Sequence, residues 1–178
     1  MRQQIQNHHD QPRHDPRARQ RPGHYMISHD FELLADYHQF YIWDHGVNPR
    51  APEDYSEEDI QRMVKTAPKV IVIQPVRDMT VPVQIQIHES DPGCSPLQWD
   101  HIVECSLELP TGQLQVHEST GGPKLDININ AGTWRVRALF SGLDSISEDG
   151  LEGNDHYSIH LWPGAAMPLH VVKQWTKN

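Results

Sequence analysis

The sequence is poor in cysteine and in long apolar runs, and each shortage excludes a class of protein. Its 178 residues include two cysteines, Cys94 and Cys105. Two are too few for a disulfide-built secreted scaffold or for a zinc finger or ribbon, and their spacing leaves open whether they pair. No run of eighteen apolar residues occurs, so we expect no membrane-spanning helix. The polar first residues lack the apolar segment of a secretory signal, so we expect a cytoplasmic protein.

Motifs for nucleophilic catalysis and for phosphate binding are absent as well. The sequence has no G-x-S-x-G elbow, and Gly121-Gly122 is not followed by the helix that a phosphate-binding loop needs. The thirteen histidines include no H-x-H pair of the kind used by jelly-roll metal sites. His88 and His117 each lie at a predicted strand end and are each followed by an acid. They could hold a metal ion together only if both strand ends lie at the same edge of the fold. We therefore predict no enzyme, no catalytic residue, no metal site and no cofactor.

Basic residues are scarce outside the first part of the chain. The net charge is −9, but residues 1–27 hold five arginines and two aspartates, so residues 28–178 hold ten bases and twenty-two acids. A domain with a net charge of −12 repels nucleic acid and favours basic partners, cationic ligands or metal ions. Solubility alone is the simpler explanation of such acidity. We expect no direct binding of nucleic acid by the folded domain.

What the sequence has in abundance is alternation of apolar and polar residues, the pattern of strands with one buried face. It is clearest over Val81–Ile87, Trp134–Phe140 and Tyr157–Leu161. About eight such strands, with turn residues every eight to fifteen positions, predict an all-β, mainly antiparallel fold of two sheets, a β-sandwich or jelly roll. Pro82 predicts an edge position or a strand start for its segment, because proline cannot donate to a ladder.

One short helix interrupts the strands, and the two ends of the chain lie outside them. Ser56 is placed to cap the helix, Asp59 occupies the reciprocal capping-box position, and Pro68 is expected to end it. Residues 1–27 are rich in Gln, His, Arg and Pro, which predicts a disordered tail. The predicted β-sandwich domain spans residues 28–164, and residues 165–178 form an extension that adds an edge strand or a short helix.

The stretch from Gly132 to Gly164 presents an acidic loop between two strands. Five acids and no base lie between Asp144 and Asp155. Their order does not fit the calcium-binding loop of an EF-hand. Spaced carboxylates can imitate the phosphates that a basic groove binds, and they steer association with a basic protein. The predicted partner-binding residues are Asp144, Glu148, Asp149, Glu152 and Asp155.

Several short phrases resemble the competence-linked inhibitors of a DNA-entry nuclease, the ComJ or Nin family. They are Tyr37-His38-Gln39-Phe40, the helix start Tyr55–Ile60, the strand-to-Arg segment Val70–Arg77, Thr80-Val81-Pro82, the turn Leu107–Gly112, and the acidic loop leading into Asp155–Ile159. The resemblance covers most of residues 31–162. It implies a cytoplasmic β-sandwich without catalytic activity that binds and blocks a nuclease. This chain departs from the pattern by an extra hairpin between Gly112 and Gly142, by its Arg/His-rich tail and by its C-terminal extension.

Two functions from different classes follow. The first is a non-enzymatic binding protein that caps a basic protein partner, with a nuclease implied by the resemblance. The alternative is a jelly roll that binds a small molecule or a metal ion, or an enzyme of this kind, using Tyr37, Trp43, Trp134 and histidines at the rim. The alternative predicts a concave, apolar pocket with convergent polar groups, whereas a filled interior between the sheets would count against it.

Overall fold

Two β-sheets pack face to face in residues 26–177, which are the residues that the structure, a computed structural model, describes. The predicted disordered tail lies almost wholly outside the described residues. Helix α1 is Glu57–Arg62, and four 3₁₀ turns occupy Asp36–His38, His45–Val47, Pro96–Gln98 and Leu143–Ser145. The strands are β1 (Met26–Leu34), β2 (Phe40–Asp44), β3 (Val64–Ala67), β4 (Val70–Ile73), β5 (Thr80–His88), β6 (His101–Leu109), β7 (Gln113–Glu118), β8 (Pro123–Asn128), β9 (Gly132–Ser141), β10 (His156–Pro163) and β11 (His170–Lys173).

The prediction of an all-β, mainly antiparallel, two-sheet fold is confirmed. One sheet has the order β1-β5-β10-β9-β6-β11 and the other has the order β3-β4-β2-β7-β8. Every adjacent pair is antiparallel except β5 and β10, which run parallel. The described residues form eleven strands rather than about eight, because short segments beside the helix and near the C-terminus also pair.

Large side chains fill the space between the sheets. Phe40 of the five-stranded sheet and Phe140, Tyr157 and Leu107 of the six-stranded sheet are almost fully buried in one continuous apolar core. Phe140 and Tyr157 meet edge to face, with ring centroids 5.4 Å apart, a favoured aromatic geometry. Trp134 packs in the same core, so the aromatic residues of the two strands beside the acidic loop serve packing. The interior is filled, which counts against a ligand cavity between the sheets.

The helix is shorter than the sequence predicts. Its start is as expected, because the Ser56 hydroxyl accepts from the Asp59 N–H at 3.1 Å and the Asp59 carboxylate accepts from the Ser56 N–H at 3.0 Å. The expected end at Pro68 is wrong: Met63 adopts a left-handed conformation (φ 57°) after Arg62, and Val64–Ala67 pairs with β4 as strand β3. Tertiary pairing therefore overrides the helical spacing, and Ile60 points to solvent rather than into the core.

Two other segments refine the predictions from sequence. Pro82 lies near the start of β5, but β5 is an interior strand between β1 and β10. The parallel pairing of β5 with β10 begins only at Val83. Pro82, which has no N–H to donate, therefore lies just before that ladder of hydrogen bonds. The C-terminal extension forms β11, which adds an edge to the six-stranded sheet by pairing with β6.

Candidate functional site

The acidic loop connects β9 to β10 and is held by its own hydrogen bonds. The Ser147 N–H donates to the Glu152 carbonyl at 2.8 Å, and the Gly150 N–H donates to the Ser147 carbonyl at 2.9 Å. The Asn154 N–H donates to the Ser145 hydroxyl at 2.8 Å and ties the second half of the loop to the first. The loop therefore presents its side chains from a defined backbone, which lowers the entropic cost of ordering it on binding.

Four of the five predicted partner-binding acids lie on the surface of this loop. Asp144, Glu148, Asp149 and Glu152 are exposed, and none of them forms an ion pair with a described residue. Hydrogen bonds from the Ser147 hydroxyl and the Leu151 N–H lower the pKa of Asp149 below its ordinary value. The loop thus displays four carboxylates that have no ion-pair partner within residues 26–177.

Asp155, the fifth predicted residue, lies in the interior instead. Its side chain is 0% exposed, its Oδ1 atom accepts from Arg77 Nε at 2.5 Å, and its Oδ2 atom accepts from the Tyr157 hydroxyl at 2.7 Å. Arg77 also donates to the Leu151 carbonyl at 3.3 Å, and burial followed by the Asp155 carboxylate raises the pKa of Tyr157. Asp155 therefore anchors the base of the loop, and the exposed acidic surface consists of the other four residues.

A groove that is apolar in its larger part lies beside the acidic loop. It consists of two cavities, of about 620 Å³ and about 340 Å³, that share Val76 and Trp175. The larger cavity is lined by Tyr37, His38, Gln39, Tyr55, Ile60, Met63, Gln74, Pro75, Val76 and Trp175. The smaller one is lined by Val76, Leu143, Asp144, Ile146, Glu148, Trp175 and Lys177. We call the two together the Trp175 groove, and two acids of the loop form part of its wall.

Trp175 is fixed at the centre of the groove by contacts from two directions. Its indole Nε1–H donates to Asp144 Oδ1 at 2.8 Å, and its backbone N–H donates to His101 Nδ1 at 3.1 Å. Because His101 Nδ1 accepts, the other ring nitrogen carries the proton and donates to the Arg62 carbonyl at 2.8 Å. Burial lowers the pKa of His101, which favours this neutral form.

The groove has no local signal in the sequence, because its lining comes from segments far apart in the chain. Tyr37, one of the aromatic residues expected to bind a ligand in the alternative function, does line the groove. The two other aromatic residues named with it do not: Trp134 is in the core, and Trp43 stacks on Tyr41 on the outer face of the five-stranded sheet with ring centroids 5.2 Å apart. Trp175 belongs to no motif or periodic pattern in the sequence; it is one of the apolar residues of the C-terminal extension.

The histidines of residues 26–177 lie at separate places in the fold. His88 and His117 do not come together: His88 lies on β5 with its ring 5.2 Å from that of His160, whereas His117 lies on β7 of the other sheet, against Trp43. Burial, then His88 and Arg137, lower the pKa of His160 to about 4. Residues 26–177 contain no group of three or more His, Cys, Asp or Glu side chains placed to hold a metal ion.

A second cluster of charged side chains, on the six-stranded sheet, consists of arginines and acids that pair with one another. On the outer face of the six-stranded sheet, Arg137 donates to Glu104 at 2.7 Å and to Asp91 at 2.9 Å, and its guanidinium lies 4.7 Å from the Trp162 ring centroid. Arg135 donates to the same Glu104 at 2.8 Å. These charges are paired and partly buried, which suits a structural role better than partner recognition. In the part of the chain that is described, no helix is long and apolar enough to cross a membrane.

Comparison with known proteins shows a likeness of fold. No family profile matches the chain, and no curated protein sequence matches it. The crystal structure of ComJ from Bacillus subtilis, an inhibitor of the DNA-degrading activity of NucA, superposes with a TM-score of 0.62 at 16% identity, over 79% of this chain and 99% of that one. A protein described as crocagin biosynthetic gene J superposes with a TM-score of 0.50 at 17% identity, over 80% of this chain and 99% of that one. The resemblance to ComJ inferred from short sequence phrases is therefore confirmed as a distant structural match.

Proposed function

We propose that this chain is a non-enzymatic protein that binds and blocks a basic partner, a DNA-degrading nuclease, through the acidic surface of its 144–155 loop. The observation that carries the proposal is the set of four exposed carboxylates, Asp144, Glu148, Asp149 and Glu152, on a loop ordered by its own hydrogen bonds. The fold shared with ComJ, an inhibitor of the DNA-degrading activity of NucA, supports the choice of partner. The cytoplasm is the proposed site of action.

The physical basis is electrostatic complementarity. A nuclease binds the phosphates of DNA through a basic groove. The positive potential of such a groove also attracts a row of spaced carboxylates. Charges of this kind act mainly on the rate of association and on the choice of partner, and salt weakens both. The −12 charge of residues 28–178 adds a long-range field of the same sign. The acidic loop is thus suited to attract a basic protein and to repel its nucleic-acid substrate.

The test compares two variants of equal net charge. One replaces the loop acids (Asp144→Asn, Glu148→Gln, Asp149→Asn, Glu152→Gln), and the other replaces exposed acids elsewhere (Glu32→Gln, Glu89→Gln, Glu108→Gln, Asp126→Asn). Binding to a candidate nuclease from the same organism is followed by surface plasmon resonance at two salt concentrations. We expect the loop variant to associate about tenfold or more slowly at low salt, with the control close to wild type. Equal rates for the two variants would refute a role of the loop.

A small-molecule-binding protein is the second candidate, because the 620 Å³ cavity of the Trp175 groove has the size and the apolar lining of ligand pockets. Tyr37, Gln39 and Gln74 supply polar groups at its walls. Native mass spectrometry of the purified full chain tests this candidate. A bound small molecule that is lost in the Ile60→Ser variant would favour it over the protein-binding function.

A further inference from the structure

We infer that the Trp175 groove and the acidic loop form a single docking surface, whose occupant is a partner segment that inserts a large apolar or aromatic side chain flanked by Lys or Arg. This inference rests on the proposed function, because it gives the partner of the acidic loop its local chemistry. The connection is geometric: Asp144 and Glu148 line the smaller cavity, and Val76 and Trp175 continue its wall into the larger one. A chain bound to these acids along the smaller cavity can therefore continue into the apolar cavity.

The larger cavity offers an apolar surface that the fold leaves uncovered. Tyr37 is 70% exposed and Ile60 is 60% exposed, although both line the same cavity. Met63, Pro75 and Trp175 complete its floor and walls. Aromatic residues and methionine are enriched in the buried centres of protein interfaces, where a few of them account for most of the binding energy. The composition of the groove therefore suits an inserted apolar side chain.

The groove is also built before any partner arrives. Tyr37 and His38 both adopt left-handed backbone conformations, with φ of 58° and 56°. Such conformations are costly for residues other than glycine and occur mainly where the surrounding fold enforces them, often at binding sites. The Ser119 hydroxyl and the Thr120 hydroxyl donate to Asp36 at 2.6 and 2.7 Å and hold this turn from the neighbouring hairpin. The backbone that carries Tyr37 at the rim is thereby held by the fold.

Charge at one end of the groove specifies the flanking residues of the occupant. Asp144 and Glu148 line the smaller cavity and mark that end. Lys177 is the single Lys or Arg among the described residues that line the groove. Inside it, the Gln74 Oε1 atom is buried without a hydrogen-bond partner among the described residues, so it is free to accept from an inserted N–H group. The Gln74 Oε1 acceptor and the two acids together favour a partner segment that carries N–H donors and positive charge.

The same charges disfavour the other occupants of an apolar groove. A second copy of this chain would bring another domain of net charge −12 against the acidic end, which opposes association. A neutral apolar molecule would fill the larger cavity but would leave Asp144 and Glu148 without a cation. The basic, apolar segment is the occupant that uses both parts of the surface.

The experiment uses three fluorescein-labelled twelve-residue peptides and the full chain, followed by fluorescence anisotropy. The first peptide has a central Trp flanked by two Lys and two Arg; the second carries Ser for Trp; the third carries Glu for each base. We expect only the first to bind tightly. Ile60→Ser should weaken its binding about tenfold, the effect of losing one well-buried interface side chain, and Glu148→Gln should weaken it and reduce its salt dependence. Leu97→Ser, at a residue that is 94% exposed, and Glu32→Gln are the matched controls.

Several results would overturn the inference. They are no binding of the first peptide, equal binding of the second peptide, equal binding of the third peptide, or equal losses in Ile60→Ser and Leu97→Ser. A wild-type dimer in sedimentation that Ile60→Ser dissociates would identify a second copy as the occupant and would also overturn it. The proposed function is judged separately by the protection of DNA from the nuclease. A wild-type chain that protects DNA, with Ile60→Ser protecting equally well, refutes the groove and leaves the acidic loop standing.

Discussion

Replacement of Asp155 by Asn should destabilise the fold strongly, although the residue lies in the acidic loop. The Asp155 carboxylate is 0% exposed and accepts from both Arg77 Nε and the Tyr157 hydroxyl. The substitution leaves the Arg77 guanidinium, itself almost fully buried, without its counter-charge. Breaking a buried ion pair by removing one partner costs about 3–5 kcal/mol. For a chain of this size that corresponds to a fall in melting temperature of about 10 °C.

Urea denaturation followed by tryptophan fluorescence measures this cost, and Asp149→Asn is the matched control in the same loop. Asp149 is exposed and bound only by local hydrogen bonds, so its replacement should change the free energy of unfolding by less than about 0.5 kcal/mol. The double variant Arg77→Met/Asp155→Leu should recover part of the lost stability, because replacing both partners leaves no unpaired buried charge, while the buried Tyr157 hydroxyl still loses its acceptor. An Asp155→Asn protein within about 1 kcal/mol of wild type would refute the anchoring role.

Three further predictions concern the helix cap, the histidines and the cysteines. Ser56→Ala should lower the free energy of unfolding by about 1 kcal/mol through loss of the capping box, measured by the same denaturation. Burial lowers the pKa values of His101 and His160 in the folded state, that of His160 to about 4, so below about pH 6.5 the unfolded chain binds protons that the folded chain does not. The free energy of unfolding should therefore be highest above pH 6.5 and decline as pH falls toward the lowered pKa values. Denaturation midpoints should fall over that window, and less so in His160→Gln. Cys105 is buried, with its pKa raised to about 12 by burial first, so a thiol reagent should titrate one cysteine in the native chain, Cys94, and two after unfolding. Two fast-reacting native thiols would contradict this burial.

The strands were predictable because their signal is local. In β9, Trp134, Val136 and Phe140 face the core at every second position, and the period of two alone identifies the buried face. Helix α1 shows the limit of such patterns. Ile60, Met63 and Val64 have helical spacing, yet Val64 is the first residue of strand β3. The pairing of β3 with β4 is a contact between segments, and it outweighs the local preference.

The site was predictable only in part, and for the same reason. Local composition identified the acidic loop, but it did not distinguish Asp155, which Arg77 draws into the interior from 78 positions away. The Trp175 groove was not predicted at all, since Tyr37, Ile60 and Trp175 come together only when the two sheets and the C-terminal strand assemble. The single advance indication was Tyr37, one of the aromatic residues expected to bind a ligand in the alternative function.

Inhibition of DNA degradation tests the proposed function most directly. A candidate nuclease from the same organism is mixed with increasing amounts of the full chain, and cleavage of a labelled duplex is followed at low and moderate salt. Wild type should stop cleavage near one equivalent, the control with replaced acids at Glu32, Glu89, Glu108 and Asp126 should match it, and the variant with all four loop acids neutralised should fail or require a large excess. Undiminished cleavage with wild type, or equal inhibition by the loop variant, would contradict a nuclease inhibitor that acts through its acidic loop.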